Sequence, residues 1–136
     1  MAGITVLLVD DEESFRRTLG KRLDKRGFVV EEAGTGEEAL EKIAAAAPDV
    51  ILLDVKMPGM DGLTALHKIK AMEPLVEVIM LTGHASMEIA IRGMELGAFD
   101  YLMKPVEFEE LLYKLEDAAK RKQHQESRIE ARTHSQ

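Results

Sequence analysis

The chain is organised around the sequence VILLDVKMPGMDG at residues 50–62. Its first four residues are apolar and run directly into Asp54, and the segment that follows carries Pro58, Gly59 and Gly62. An apolar run that ends in turn residues is typical of a strand buried on both faces. Asp54 would then stand at the strand exit, with a hydrophobic sheet behind it and an open loop in front. A carboxylate in that position is either a reactive acid or an ordinary cap of the next turn.

The composition indicates one globular domain. The chain has 136 residues, of which 46% are hydrophobic and 32% charged, so it can bury a core. Its formal net charge of −7 argues against nucleic acid or anionic lipid as the main partner. It has no cysteine for a disulfide or a thiolate metal site. The N-terminus lacks the basic region of a signal peptide, and no apolar stretch approaches the ~20 residues that span a bilayer. We therefore expect a cytoplasmic domain that binds no membrane and does not itself bind nucleic acid directly.

Strand-like and helix-like segments alternate five times along the chain. The strands are predicted at residues 5–9, 28–33, 50–53, 78–81 and 101–103. After each of them, apolar residues recur every three or four positions, which predicts an amphipathic helix. Thr35 and Glu38 have the spacing of a capping box, and Ser86 is the predicted N-cap of the fourth helix. This alternation indicates an α/β fold with a parallel sheet and helices on both faces.

The apolar content of the strands predicts their order in the sheet. The first, third and fourth strands are wholly apolar and should be central, whereas the second is half polar and the fifth is short, as suits edges. Right-handed crossovers then favour the order 2-1-3-4-5, the doubly wound, flavodoxin-like arrangement of five strands. In that arrangement the chain reverses direction between the first and third strands. Ligands of such folds bind outside the carboxyl ends of these strands.

Apolar residues nearly vanish from Gln123 onward, where only Ile129 could pack. We predict one domain over residues 1–122 and a polar segment over residues 123–136. That segment is either a frayed helix end or a tail or linker remnant. The run Lys120-Arg121-Lys122 is interpreted as the favourable basic end of the last helix.

Four of the five predicted strand exits carry a residue suited to phosphate chemistry. These residues are Asp10 and Asp11, Asp54, Thr82 and Lys104. Because the carboxyl ends of parallel strands meet at one edge of the sheet, the three carboxylates should converge and repel one another unless a cation neutralises them. A hard divalent ion with oxygen ligands, Mg²⁺ above all, meets that need.

With a metal bound, Asp54 would stay ionised near neutral pH and could attack phosphorus in line. The metal and the Lys104 ammonium would offset charge on the transferred oxygens, and the Thr82 hydroxyl and Gly83 amide could donate hydrogen bonds to them. Each residue alone also has an ordinary interpretation, such as a helix N-terminus for the paired acids or a solvated lysine before proline. These interpretations do not explain why all five residues fall at the exits of four strands.

The motifs LLVDDEE (7–13), VILLDVKMPGMDG (50–62), Thr82-Gly83 and GAFDYLMKP (97–105) resemble the receiver domain of two-component response regulators, and resemble receivers of the NtrC and FixJ type most. The resemblance covers about residues 4–120. It implies a phosphoacceptor at Asp54 and Mg²⁺ held by Asp10, Asp11, Asp54 and the backbone carbonyl of Lys56. Thr82, Lys104 and the Gly83 N–H would bind the phosphoryl group, and the Lys104–Pro105 bond would be cis.

The resemblance also implies partners and a switch. A phosphohistidine on a sensor histidine kinase or histidine phosphotransfer protein would be the donor, and a downstream protein target or effector domain would receive the output. Thr82 would move toward the phosphoryl group and Tyr101 would turn inward, changing the surface of the fourth helix, fifth strand and fifth helix. A phosphorylation-dependent homodimer stays open, as does the choice between a free-standing receiver and a fragment of a longer regulator.

Two other functions compete with this one. A pseudo-receiver would interact without phosphorylation, but such domains usually lose an acid or the lysine, and here none is missing. A hydrolase of the haloacid dehalogenase type would resemble Asp-x-Asp at the nucleophile, where this chain has Lys56 in place of the second acid, and it usually needs a cap domain. We therefore expect a Mg²⁺-dependent phosphoacceptor switch in a phosphorelay. It would catalyse only its own phosphorylation and slow autodephosphorylation, with Lys56 and His84 at positions that tune the latter.

Overall fold

The computed structural model describes residues 3–134, and its elements alternate as predicted. In chain order they are β1 (Thr5–Val9), α1 (Glu13–Lys25), β2 (Val29–Ala33), α2 (Gly36–Ala45), β3 (Val50–Asp54), α3 (Gly62–Met72), β4 (Glu77–Thr82), a 3₁₀ turn (His84–Ser86), α4 (Met87–Glu95), β5 (Asp100–Met103) and α5 (Phe108–His134). Within residues 3–134, none of the helices has the length and apolar content that crossing a bilayer requires.

The five strands form one parallel sheet in the order β2-β1-β3-β4-β5, which confirms the predicted order. Every residue of β3 and β4 is buried, whereas β2 alternates between exposed and partly buried positions, as expected of an edge. The register pairs Val9 of β1 with Leu53 of β3. Asp10, the first residue after β1, and Asp54, the last residue of β3, therefore lie side by side.

The core lies in two apolar clusters, one on each face of the sheet. On one face α1 and α5 cover the strands, through residues such as Leu23, Leu52 and Leu115. On the other face α2 and α3 cover them, through residues such as Ile43 and Leu66. Burying each such side chain contributes about 1.5–3 kcal/mol, so both faces are held by the hydrophobic effect. The prediction of helices on both faces is confirmed.

The two predicted helix caps have different outcomes. Thr35 Oγ1 accepts the Glu38 N–H at 3.1 Å, which confirms the N-cap of α2. Ser86 is the N-cap residue of α4, as predicted, but its side chain makes no capping hydrogen bond. The preceding 3₁₀ turn gives Ser86 a ψ of 14° in place of the extended ψ of an N-cap, and an N-cap side chain reaches the helix amides from the extended conformation.

Helix α5 continues through the polar segment to His134. Of the two alternatives for this segment, the structure has the helix, while Ser135 and Gln136 lie outside the described residues. The interpretation of Lys120-Arg121-Lys122 as the end of the helix is therefore wrong. The domain boundary after residue 122 stays a prediction.

Two of these basic residues hold α5 against the amino-terminal ends of β3 and β4. Arg121 Nε lies 3.1 Å from Oε2 of Glu77, a residue only 3% exposed at the start of β4. Lys122 Nζ lies 3.3 Å from Oδ1 of Asp49, whose Oδ2 accepts the Thr5 N–H at 2.8 Å. A charged residue that is nearly buried is normally paired, and Arg121 gives Glu77 an ion-pair partner, although Glu77 Oε2 accepts no hydrogen bond within the described residues.

Candidate functional site

Three carboxylates meet where β1 and β3 leave the sheet. Asp10, Asp11 and Asp54 each offer an oxygen, and these atoms all lie within 4.8 Å of one another. Asp10 is 1% and Asp54 7% exposed, whereas Asp11 is open to solvent. The predicted convergence of the three acids at one edge of the sheet is confirmed.

Asp10 is held through both its backbone and its side chain. Its N–H donates to the Ala33 carbonyl at 3.1 Å, which extends the pairing of β1 with β2 by one residue. Its Oδ1 accepts the Glu12 N–H at 2.9 Å, and its Oδ2 accepts a hydrogen bond from Lys104 Nζ at 2.7 Å. Charge-assisted bonds of this length are strong, so the Asp10 carboxylate has a fixed orientation.

Lys104 brings a positive charge to both buried carboxylates. Besides its bond to Asp10, its Nζ lies 4.0 Å from Asp54 Oδ2, 4.0 Å from Glu12 Oε1 and 4.4 Å from the centre of the Phe15 ring. The Lys104–Pro105 peptide is cis, as the resemblance implies. The alternative interpretation of Lys104 as a solvated side chain is wrong.

Burial raises the pKa of Asp54 from 3.8 to about 6. The N–H of Lys56 donates to Asp54 Oδ1 at 3.2 Å and opposes this rise, while the neighbouring charge of Asp10 adds to it. Lys104 lowers the pKa again and Asp11 raises it, both to smaller extents. Ionised Asp54 is therefore costly in the metal-free protein at neutral pH.

The metal-free Asp54→Asn variant should be more stable than the wild type at pH 7. The folded-state pKa of Asp54 lies above its unfolded value, so the folded protein holds the proton more tightly, and stability falls as pH rises from about 4 through 6. Asparagine removes that charge and should raise the free energy of unfolding by about 1–3 kcal/mol at pH 7. Urea unfolding in EDTA at pH 7.5, 6 and 4 measures the difference, which should vanish near pH 4. A variant no more stable than wild type at pH 7.5 would contradict the expected burial cost.

An open pocket of about 660 Å³ lies in front of Asp54. The exits of β1, β3 and β4 line it, with Asp11, Lys56, Gly83 and His84 in its wall. A Cβ built on Gly83 would meet no atom within 4 Å, so this side of the pocket is unobstructed. A small anionic group can therefore reach Asp54 from solvent.

The two predicted switch residues lie outside this wall. Thr82 is 1% exposed, and its hydroxyl donates to the Gly83 carbonyl at 3.0 Å. To contact a group on Asp54 the hydroxyl would have to leave that carbonyl. Tyr101 is partly buried and packs against the apolar cluster under α2 and α3. The predicted roles of both residues stay predictions.

A sequence model of the family described as "Response regulator receiver domain" matches residues 6–116. The chain belongs to this family.

Named relatives of this receiver domain agree on its type. It is 40% identical over 121 residues to the DNA-binding transcriptional regulator NtrC of Escherichia coli K12, covering 89% of this chain and 26% of NtrC. It is 41% identical over 106 residues to the regulatory protein AtoC of the same organism, covering 78% of this chain and 23% of AtoC. The chain thus spans about a quarter of the length of these relatives. The predicted resemblance to NtrC-type receivers is confirmed.

A solved structure supports the fold of the receiver domain independently. The response regulator receiver domain protein from Clostridium thermocellum superposes with a TM-score of 0.84 at 34% identity, covering 90% of this chain and 98% of that one. The chain is therefore a regulatory domain of two-component phosphorelay signalling.

The acidic cluster of this receiver domain suits a divalent cation. Oxygen ligands from three carboxylates within 4.8 Å of one another are what Mg²⁺ prefers in proteins, and their mutual repulsion adds a reason to bind a cation. The carboxylates of Asp10, Asp11 and Asp54 would hold the ion. The fourth ligand implied by the resemblance, the Lys56 carbonyl, stays a prediction.

The sequence did not point to three residues around the receiver site, namely Glu12, Phe15 and Arg16. Glu12 and Phe15 flank the Lys104 ammonium. Arg16 is 15% exposed and contacts the backbone of Asp10 and the side chain of Glu32. One feature of the sequence could have indicated Arg16. Glu32 lies on the same face of β2 as Val30, which packs against the apolar cluster under α1, so the Glu32 carboxylate needs a basic partner on that helix.

Proposed function

We propose that this receiver domain is a phosphoacceptor switch in which Asp54 takes a phosphoryl group from a phosphohistidine. The donor would be a sensor histidine kinase or a histidine phosphotransfer protein. One observation carries this proposal: Asp54 meets two further carboxylates and an ammonium group beside an open pocket. A nucleophile, a cation site and a positive charge are what phosphoryl transfer to a carboxylate requires.

Asp54 would act as the nucleophile. One of its oxygens forms a bond to phosphorus, the phosphorus–nitrogen bond of the donor breaks, and the imidazole nitrogen keeps the electron pair. Mg²⁺ held by Asp10, Asp11, Asp54 and the Lys56 carbonyl would neutralise the carboxylates and part of the charge on the transferred oxygens. Asp54 faces the pocket, and its backbone sits in the central strand β3, so its position is set by the core.

Lys104, Gly83 and Thr82 would bind the transferred group. Lys104 Nζ lies 4.0 Å from Asp54 Oδ2, close enough for a phosphoryl oxygen on Asp54 to draw it from Asp10. Gly83 lines the pocket and would donate its N–H to the transferred group, and the Thr82 hydroxyl would exchange the Gly83 carbonyl for a phosphoryl oxygen. Each of these donors offsets negative charge on the phosphoryl group.

The output would be a shift between two conformations. When Thr82 moves toward the phosphoryl group, the partly buried Tyr101 can turn into the space beside β4, and the surface of α4, β5 and α5 changes. α4 already exposes Ile91 and Met94, which are 51% and 37% accessible. A downstream protein or effector domain would read this surface. The domain would catalyse only its own phosphorylation and slow dephosphorylation.

Acetyl phosphate supplies the test of this proposal. Incubated with acetyl phosphate and Mg²⁺, the protein should gain one phosphoryl group, detected by intact mass spectrometry and located at Asp54 by peptide mapping. EDTA should suppress the adduct. Absence of an adduct and of any beryllofluoride response would overturn the switch and favour a pseudo-receiver. Rapid multiple turnover of a small phosphate ester would instead favour a hydrolase.

A further inference from the structure

Arg16 ties three separate parts of the chain together behind the acidic cluster. Its Nη1 donates to the Asp10 carbonyl at 2.6 Å, and its Nε donates to Glu32 Oε1 at 3.2 Å. The guanidinium lies against Gly34, where an added Cβ would sit only 3.2 Å from Nη1. Arg16 stands on α1, Glu32 on β2, and Asp10 directly after β1, so one side chain joins all three.

The peptide that Arg16 holds is the one between the first two acids of the cluster. Asp10 is already fixed by the Ala33 carbonyl, the Glu12 N–H and Lys104. Within residues 3–134, the Asp11 carboxylate makes neither a hydrogen bond nor an ion pair. Its position therefore depends on the backbone that precedes it, and Arg16 sets that backbone through the Asp10 carbonyl.

We propose that Arg16 is a positioning residue for the divalent-metal site. Its bond to the Asp10 carbonyl orients the Asp10–Asp11 peptide, and thereby holds the Asp11 carboxylate where it can share a cation with Asp10 and Asp54. Glu32 holds the guanidinium in place, and Gly34 leaves room for it. This inference rests on the proposed function, which supplies the metal.

The loss of Arg16 could change Mg²⁺ affinity in two opposite directions, one through its positive charge and one through its hold on the Asp10–Asp11 peptide. If its charge alone mattered, removing a cation near three carboxylates would tighten Mg²⁺ binding. Glu32, however, neutralises Arg16 at 3.2 Å, so little net charge is lost to the cluster. Losing the hold on the Asp10–Asp11 peptide should weaken binding instead. Groups that orient metal ligands typically contribute about 10–100-fold to affinity.

The test compares Arg16→Ala with Arg17→Ala in the full chain. Arg17 is the next residue of α1 and forms an exposed pair with Glu13 at 2.8 Å, so its loss removes the same charge without touching Asp10. Mg²⁺ dissociation constants come from calorimetry and Mn²⁺ constants from electron paramagnetic resonance. We expect Arg16→Ala to raise both constants about tenfold and Arg17→Ala to change them less than about twofold. Thermal unfolding in EDTA reports the stability of each variant separately.

Arg16→Lys provides a second variant that keeps the charge. A lysine ammonium can reach one acceptor but cannot bridge the Asp10 carbonyl and Glu32 as the planar guanidinium does. We expect its Mg²⁺ dissociation constant to lie between those of wild type and Arg16→Ala, even if Arg16→Ala does not fold.

The outcomes separate this inference from the proposed function. Unchanged or tighter Mg²⁺ binding in Arg16→Ala and Arg16→Lys would overturn the positioning role and leave the switch intact. Lower stability at an unchanged dissociation constant would show a purely structural role and would also overturn it. A wild type that binds no Mg²⁺ would overturn the metal-dependent function itself, and this inference with it.

Discussion

The Asp54→Asn variant should form no phosphoryl adduct with acetyl phosphate and Mg²⁺, whereas the wild type should form one. Asparagine has almost the shape of aspartate, and its carbonyl oxygen can still accept the Lys56 N–H that now reaches Asp54 Oδ1 at 3.2 Å. An amide oxygen is a far weaker nucleophile than a carboxylate, so the fold is kept while the attack on phosphorus is lost. Intact mass spectrometry of both proteins measures the adduct directly.

Asp61→Asn is the matched control for this loss. Asp61 lies seven residues further on, where its Oδ1 accepts the Thr64 N–H at 2.8 Å as the N-cap of α3. Asparagine is an equally good N-cap, so this variant should fold and be phosphorylated like the wild type. An adduct that persists in Asp54→Asn would place the nucleophile elsewhere, on Asp10 or Asp11, and the proposed role of Asp54 would fail.

Gly62→Ala should lower the free energy of unfolding by about 2–4 kcal/mol. A Cβ on Gly62 would lie 2.6 Å from Val55 Cα and 2.8 Å from the Val55 carbonyl oxygen, closer than real Cβ contacts. The Gly62 N–H also donates to that carbonyl at 3.2 Å and closes the loop after Asp54. Because the nearest atoms belong to the buried backbone of Val55 and not to a flexible side chain, they can move away only at a large cost in free energy. Urea unfolding measures the loss.

Gly83→Ala is the control for this prediction. Gly83 also follows a central strand and also borders the site, but its φ of −96° is open to any residue and its Cβ would meet no atom within 4 Å. Alanine should therefore change stability by no more than about 1 kcal/mol, in the stabilising direction, because it restricts the unfolded chain. Equal losses of stability in the two variants would mean that the close approach at Gly62 carries no special cost.

In Gly62→Ala the loop that carries Lys56 should shift, so phosphorylation of Asp54 should also slow.

Much of the fold could be predicted from where apolar residues recur. The wholly apolar runs before Asp10, Asp54 and Thr82 became the three central strands, because a strand with helices on both faces must be apolar throughout. The half-polar second strand became an edge for the same reason. Hydrophobic burial depends on the total apolar surface and not on a specific partner, so a local pattern suffices to predict it.

Polar contacts were predicted less well. Arg121 and Lys122 were assigned to a helix end, yet they form ion pairs with Glu77 and Asp49 at the amino-terminal ends of β4 and β3. Ser86 is the N-cap residue of α4, yet the 3₁₀ turn before the helix leaves its side chain without a capping hydrogen bond. An ion pair or a cap depends on direction and on distances of a few tenths of an ångström, and these are set only when distant segments pack.

The order of the strands follows from the pattern of apolar residues, and it brings Asp10, Asp11, Asp54 and Lys104 together at the carboxyl ends of the strands. Each of these side chains lies at the end of a strand or within two residues after it, so the order of the strands places them. Two contacts could not be predicted in this way: the bond from Lys104 to Asp10, and the bond from Arg16 to the Asp10 carbonyl that forms while Arg16 is also bound to Glu32. These contacts join residues up to 94 positions apart in the sequence. Their geometry exists only after α1 and the β5–α5 loop have packed against the sheet, because a hydrogen bond needs both partners oriented at once.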